Sequence, residues 1–195
     1  MDIKDSLFEA EHICLAPIQP EKDAAVEALW TQDSQYMRLL NREPAQPGSP
    51  ELMKKYYESI EKAAEGDGNL FYFTIRLRLD DRLIGFARIY WIQWAMGHAS
   101  LQLGIGDPGQ RGKGYGREAL SLLLRYAFAE INLFRLSAGV PEYNPVALRL
   151  FQRAGFVEEA CQREALYRDG RWWDLVIFGL LSDEWREKNG RHLPR

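Results

Sequence analysis

Cysteine and histidine are scarce in this chain: its 195 residues hold Cys14 and Cys161, and His12, His98 and His192. No C-x-x-C pair and no His/Cys set at ligand spacing occurs, which argues against a structural zinc, and the two thiols are too few for a disulfide framework. A reduced, cytoplasmic setting is the simplest expectation. The opening Met1-Asp2-Ile3-Lys4-Asp5 lacks a basic segment followed by an apolar run. Nowhere do about 18 apolar residues follow one another, so neither a leader nor a membrane span is expected. Basic residues are not in excess either. With 25 Lys+Arg against 28 Asp+Glu the formal net charge is −3, so no global positive field recruits nucleic acid or an anionic membrane. The chain is instead rich in apolar and aromatic mass, with 46% hydrophobic residues, nine Tyr, nine Phe and six Trp. That is enough for a substantial core in one domain over residues 1–195, with a polar tail at 190–195.

Hydrophobic periodicity predicts the elements. Residues 12–19 alternate weakly and read as a first strand closed by Pro20, and residues 21–32 carry Ala25, Leu29 and Trp30 at helical spacing. Three prolines and a glycine make 41–50 a loop. A second helix over 51–65 places Leu52, Tyr56, Ile60 and Ala63/Ala64 on one face, before Gly66-Asp67-Gly68 ends it. The period then changes to two. Phe71, Phe73, Ile75, Leu77 and Leu79 alternate with Tyr72, Thr74, Arg76 and Arg78, and Asp80-Asp81 turns the chain into a second long strand over 83–91. A strand over 99–105 leads into a glycine-rich loop. Beyond it Leu120, Leu123, Leu124, Ala127, Phe128 and Ile131 follow the helical period. A short strand at 134–140 precedes Asn144, a good N-cap, with Pro145 at the first helical position. That helix buries Ala147, Leu150, Phe151 and Ala154 and ends at Gly155. Residues 156–167 and 171–181 form a last hairpin around Asp169-Gly170, and a short helix follows. The order predicts an α/β (α+β) fold: one mixed, mostly antiparallel sheet with helices on both faces.

The loop is Gln110-Arg111-Gly112-Lys113-Gly114-Tyr115-Gly116, running into the helical Arg117-Glu118-Ala119-Leu120. Backbone without Cβ approaches a ligand closely and takes positive φ, and the following helix offers unpaired N–H groups and the positive end of its dipole. Physically this is a pocket for a phosphate or diphosphate. A Walker loop is excluded, because Gly112-Lys113 is followed by Gly114 and Asp107 stands where the first glycine belongs. A dinucleotide fingerprint on Gly104, Gly106 and Gly109 is weak, since Pro108 and the later glycines delay the helix. A glycine-rich loop that binds nothing is the bland alternative.

Taken together the motifs resemble those of the GNAT N-acetyltransferases, in the branch of ribosomal-protein N-terminal and spermidine acetyltransferases. Arg111-x-x-Gly114-x-Gly116 is similar to the family's pyrophosphate loop. Glu142-Tyr143-Asn144-Pro145-Val146-Ala147 through Phe151 to Gly155-Phe156 is similar to its second signature. Tyr167-Arg168-Asp169-Gly170-Arg171-Trp172-Trp173-Asp174, with Glu184-Trp185 beyond, looks like the branch's usual ending.

The resemblance implies the GNAT-like acyl-CoA N-acyltransferase fold and an acetyl-CoA (CoA) site. Leu103, Gly104 and Ile105 would pair with the pantetheine arm, and the N–H groups of Arg111, Gly112, Lys113, Gly114, Tyr115 and Gly116 would hold the diphosphate. Asn144 would bond the cofactor near the thioester, and the strands carrying Ile105 and Leu136 would splay. Acetyl would pass to a primary amine of a peptide, protein or small molecule by direct attack in a ternary complex. The chain also departs from the pattern. Phe151 stands where the family usually has the Tyr that protonates the departing thiolate, a role worth about 10²–10⁴-fold. Tyr143 and Tyr115 are substitutes or structural. Gln102 replaces a Glu common on the strand before the loop, which leaves Glu159 as the candidate base and His98, expected in a loop, as another. So thin an inventory favours a low-pKa amine over a polyamine. Trp91, Trp94, Trp172, Trp173 and Tyr167 would form an aromatic wall, a core or a homodimer seam, and loop 41–50 a lid. Covalent relay through a cysteine is disfavoured. Two rival readings are a weak or non-catalytic acyl-CoA-binding module and a nucleotide-binding regulator.

Overall fold

The computed structural model describes residues 6–65 and 68–189. Its strands are β1 (Ile13–Ala16), β2 (Leu70–Leu77), β3 (Leu83–Gln93), β4 (His98–Ile105), β5 (Arg135–Pro141), β6 (Val157–Arg168) and β7 (Arg171–Leu181). Its helices are α1 (Pro20–Thr31), α2 (Ser34–Leu40), α3 (Pro50–Glu65), α4 (Tyr115–Arg125), α5 (Pro145–Ala154) and α6 (Ser182–Lys188). The strands make one seven-stranded sheet in the order β1-β2-β3-β4-β5-β7-β6. Every neighbouring pair is antiparallel except β4 with β5.

The main core lies on the face covered by α4 and α5, where Leu120, Leu123, Ala127 and Phe128 meet Ile75, Ile89, Leu101 and Leu136. Helix α4 keeps the expected period and runs on through a π turn at Tyr126–Glu130. On the opposite face α1, α2 and α3 enclose two smaller clusters, around Tyr57 and around Trp30 and Tyr36. Asp169 and Gly170 both have positive φ at the β6–β7 turn, as the sequence predicts for this hairpin.

Several expectations are corrected. β1 is shorter than 12–19, because its pairing with β2 stops at Ala16 opposite Thr74, and Pro20 opens α1 instead of closing a strand. Helix α1 turns Asp23, Ala24, Ala28 and Trp30 inward and leaves Leu29 exposed. The polar Asp23 is drawn in by Arg76, whose Nη2 donates to both its carboxylate oxygens at 2.6 and 2.7 Å. Helix α3 buries Tyr57 and Ile60, not Leu52 and Tyr56, since the Tyr57 hydroxyl reaches Glu27 on α1. Strand β2 is covered on both faces, so Thr74 and Arg76 are as buried as Ile75, while Leu79 lies beyond the strand and is exposed. Residues 33–40, assigned no element from periodicity, form α2, capped by Asp33, which accepts the Tyr36 N–H at 3.0 Å. The predicted stop at Gly66-Asp67 and the polar tail 190–195 lie outside the described residues.

Candidate active site

Strands β4 and β5 pair over three residues, His98–Arg135, Ala99–Leu136 and Ser100–Ser137, and then part. β4 continues to Ile105 and β5 to Pro141 with no pairing between them, so the sheet opens into a wedge, as the resemblance implies. On the edge facing β5, residues 101–105 have no strand beside them, and a chain-like ligand can lie there as an added strand.

The glycine loop sits at the mouth of this wedge. Asp107 starts it by accepting the Gly109 N–H at 2.8 Å. Gly112 and Gly114 have φ of +76° and +92°, a conformation that a residue with a Cβ resists, and a Cβ at either would meet nothing within 4 Å. Among the described residues no acceptor is bonded to the N–H groups of 112–116, and α4 begins at Tyr115 directly behind them. The open cradle, unpaired amides and helix dipole suit a diphosphate. Arg111 belongs to the scaffold. Its guanidinium donates to the Ile105 and Gly106 carbonyls at 3.0 and 2.7 Å, pairs with Asp33 at 2.8 Å and stacks on Tyr36, while its N–H faces the Pro108 carbonyl. Lys113 Nζ rests on Gln110 Oε1 at 3.0 Å.

Helix α2 spans the other side of the wedge, and its last three carbonyls are capped from three directions. Tyr143 Oη donates to the Arg38 carbonyl at 3.0 Å, Asn144 Nδ2 to Leu39 at 3.3 Å, and Gln102 Nε2 to Leu40 at 2.8 Å. Asn144 Oδ1 also caps α5 by accepting the Ala147 N–H at 3.1 Å. Both ends of the Asn144 amide are thus engaged within the chain, and Tyr143 is a strut. The Tyr36 hydroxyl lies over Gly104 with no partner, and Gln102 Oε1 is likewise buried and unpartnered. Loop 41–50 is fastened, because Arg168 Nη2 donates to the Arg42 carbonyl at 2.5 Å and to that of Glu43 at 3.0 Å. A polar cavity of about 240 Å³ opens between α2 and the β6–β7 turn, lined by Arg38, Tyr143, Arg168, Asp169 and Trp173 among others.

The acid and base candidates occupy different settings. Phe151 is buried, edge-on to Phe156 and stacked on Phe178, so no proton donor stands at the family's Tyr position. Both oxygens of Glu159 lie on the Arg135 guanidinium, which engages the carboxylate within a bidentate pair. His98 is the first residue of β4, not a loop residue, and its Nε2 is 3.0 Å from Ser137 Oγ. Burial, with help from the Arg135 charge, lowers the pKa of this imidazole, against a smaller raising effect of Glu159. It is therefore neutral at pH 7 and able to take a proton.

The aromatic residues do not form one wall. Trp91 packs on Tyr90 and Trp94 on Phe71, whereas Trp172 packs on Tyr167 and Trp173 on Tyr143 and Arg171. Neither thiol is primed as a nucleophile. Burial raises the Cys14 pKa, and Cys161, bonded to Asp174, is raised by that contact. Among the described residues no group of His, Cys, Asp and Glu could hold a metal ion, and no helix is long and apolar enough to cross a membrane. Sequence reasoning did not find Tyr36, Arg42 or Ser137. Asp33 was the available signal for α2, as an N-cap residue; the other three residues carry no local mark.

The family model of the acetyltransferase (GNAT) domain matches residues 12–157. A probable N-acetyltransferase, YjcK of Bacillus subtilis, is 32% identical over 138 residues, covering 70% of this chain and 73% of that protein. The [ribosomal protein uS5]-alanine N-acetyltransferase of Escherichia coli is 31% identical over 119 residues, 60% of this chain and 61% of its own. Among solved structures, spermidine N-acetyltransferase from Vibrio cholerae in complex with CoA and spermine superposes with a TM-score of 0.77 at 23% identity, covering 89% of this chain and 97% of that one.

Proposed function

The chain belongs to the GNAT acetyltransferase family, and on that footing we propose that it transfers acetyl from acetyl-CoA to a primary amine by direct attack in a ternary complex. The observation that carries the reading is the wedge between β4 and β5, opening beside a loop whose amides at 112–116 have no acceptor among the described residues. Those amides would take the diphosphate, and the free edge of Leu103, Gly104 and Ile105 the pantetheine arm. Bound there, acetyl-CoA supplies the thioester that an uncharged amine attacks. His98, two residues back from the last paired residue Ser100 and with its imidazole on Ser137 at the apex of the wedge, accepts the amine's proton at an imidazole nitrogen. Phe151 keeps the thiol end dry and offers it no proton, so the thiolate leaves unaided, which an alkyl thiol of pKa near about 8.5 permits. The shared sheet of the described residues supports one N-acetyltransferase domain over 1–195, and the low cysteine count a cytoplasmic setting.

The test is CoA release from acetyl-CoA across a panel of amines, with calorimetry of CoA and ATP beside it. Turnover with at least one amine and a preference for CoA are expected. Tight CoA binding without turnover would favour a non-catalytic acyl-CoA-binding module, and a preference for ATP would refute the assignment of the loop.

A further inference from the structure

The floor of the wedge on the side of α1–α3 carries an unbalanced charge. Gln102 on β4 and Gly139 on β5 each lie two residues beyond the last paired residues, Ser100 and Ser137, so they face one another across the opening at one level. Above Gly139 lies Arg42. Its Nη2 is 2.9 Å from where a Cβ on residue 139 would stand, so the absence of a side chain there lets the guanidinium lie close over the sheet. The backbone around Arg42 is fixed on both sides, by Gln102 through the Leu40 carbonyl and by Arg168 through the carbonyls of Arg42 and Glu43.

Other arginines around this face are engaged. Arg38 pairs with Asp169 and Arg135 with Glu159, Arg88 bonds Tyr56, Arg168 bonds carbonyls, and Arg171 lies over Trp173. The Arg42 guanidinium has no hydrogen bond or ion pair with any described residue. Across the opening, Gln102 brings no charge to offset it: its Nε2 is bonded to the Leu40 carbonyl and its Oε1 is buried. The opening thus presents one charged group, the exposed guanidinium of Arg42, a positive fork suited to a carboxylate.

We propose that the acceptor is an amine carrying a carboxylate a few bonds from its nitrogen, with the carboxylate on Arg42. This rests on the acetyltransferase reading and narrows it: a polycation such as spermidine would bring its second charge towards Arg42 and be repelled.

The experiment compares kcat/KM for free amino acids, their carboxamides and spermidine in the wild type, Arg42→Gln and Arg42→Lys. Amine basicity is the same for each enzyme, so the change in the acid-to-amide ratio reports the carboxylate contact alone. In Arg42→Gln the ratio should fall about 10–100-fold, mainly through KM, as expected for loss of a charge-assisted bond. Arg42→Lys should keep part of it. An unchanged ratio in Arg42→Gln, or a wild type that prefers carboxamides or spermidine, overturns the proposal. A second arm titrates the CoA-loaded protein with N-acetylalanine and N-acetylalaninamide. Tighter binding of the acid, lost in Arg42→Gln, supports the anion site even if no amine turns over, an outcome that would remove the acetyltransferase reading alone. Equal binding of the two by the wild type overturns the anion site.

Discussion

His98 is the residue we propose as the base of the transfer. Its folded pKa is below the ordinary value of about 6.5, so the folded protein stays neutral where the unfolded chain begins to protonate. Its contribution to stability is complete above about 6.5 and is lost as pH falls towards the folded value. The acid limb of kcat/KM should therefore lie below about 6.5. In Glu159→Gln that limb should move lower still, because the carboxylate that raises His98 is gone and the Arg135 charge remains; an NMR titration of the imidazole checks the same shift. His98→Asn should lower kcat about 10²–10⁴-fold at neutral pH, and unchanged turnover would remove His98 as the base. Phe151→Tyr tests the missing acid. A new hydroxyl among Phe156 and Phe178 costs about 1–3 kcal/mol if it stays unpaired, which thermal unfolding would show. Turnover should persist, and its complete loss in a folded variant would be inconsistent with a merely vacant acid position.

At the scale of elements, the glycine loop and α2 bound the wedge by different means. The loop depends on backbone conformation. Gly112→Ala and Gly114→Ala each force a Cβ into the left-handed region at about 1–2 kcal/mol and place it in the open cradle. We expect CoA affinity to fall at least about tenfold by calorimetry, as for one lost bond to a charged group, while the far-ultraviolet circular dichroism of the fold stays the same. Helix α2 has seven residues and depends on partners: Asp33 at its start, and Gln102, Tyr143 and Asn144 at its end. Seven residues are too few for propensity to hold a helix in water, which is why no periodic signal marked it. The same partners explain why Asn144 and Tyr143, legible in sequence as a cap and a turn, also act as struts. Edge strand β6 is exposed along most of its length and is bulged near Glu159 and again before Leu166, features that discourage pairing with another sheet.

For the whole molecule, the Asp23–Arg76 pair ties α1 to the sheet behind the site, with both side chains at most 4% exposed. Removing one partner leaves a buried charge without its counter-ion: Arg76 keeps only the Asp81 carbonyl and the edge of its carboxylate, and Asp23 only the Gln19 N–H. Asp23→Ala or Arg76→Ala should cost about 3–5 kcal/mol in chemical denaturation, and replacing both with apolar residues much less. A small effect of the single variants would mean that water reaches the pair. Such coupling is invisible along the chain, where Arg76 reads as the outward residue of an alternating strand. Alternation fails as a guide there because helices cover both faces of β2.

Sequence by itself determined what local chemistry can encode: a mixed sheet, the cap and stop of α5, the hairpin at Asp169-Gly170, and a glycine loop feeding a helix. Each rests on residues whose preferred backbone geometry is set within a few positions of themselves. Only the tertiary structure decided which polar groups are engaged and which are left without a partner. The side chains of Arg111 and Asn144 are bonded within the chain, while the Arg42 guanidinium is bonded to no described residue and Gln102 Oε1 is buried without a partner. The bonds from Arg111 to Asp33 and from Asn144 to Leu39 span 78 and 105 residues of sequence, and the availability of a donor or acceptor is fixed by what packs against it, which no local pattern records.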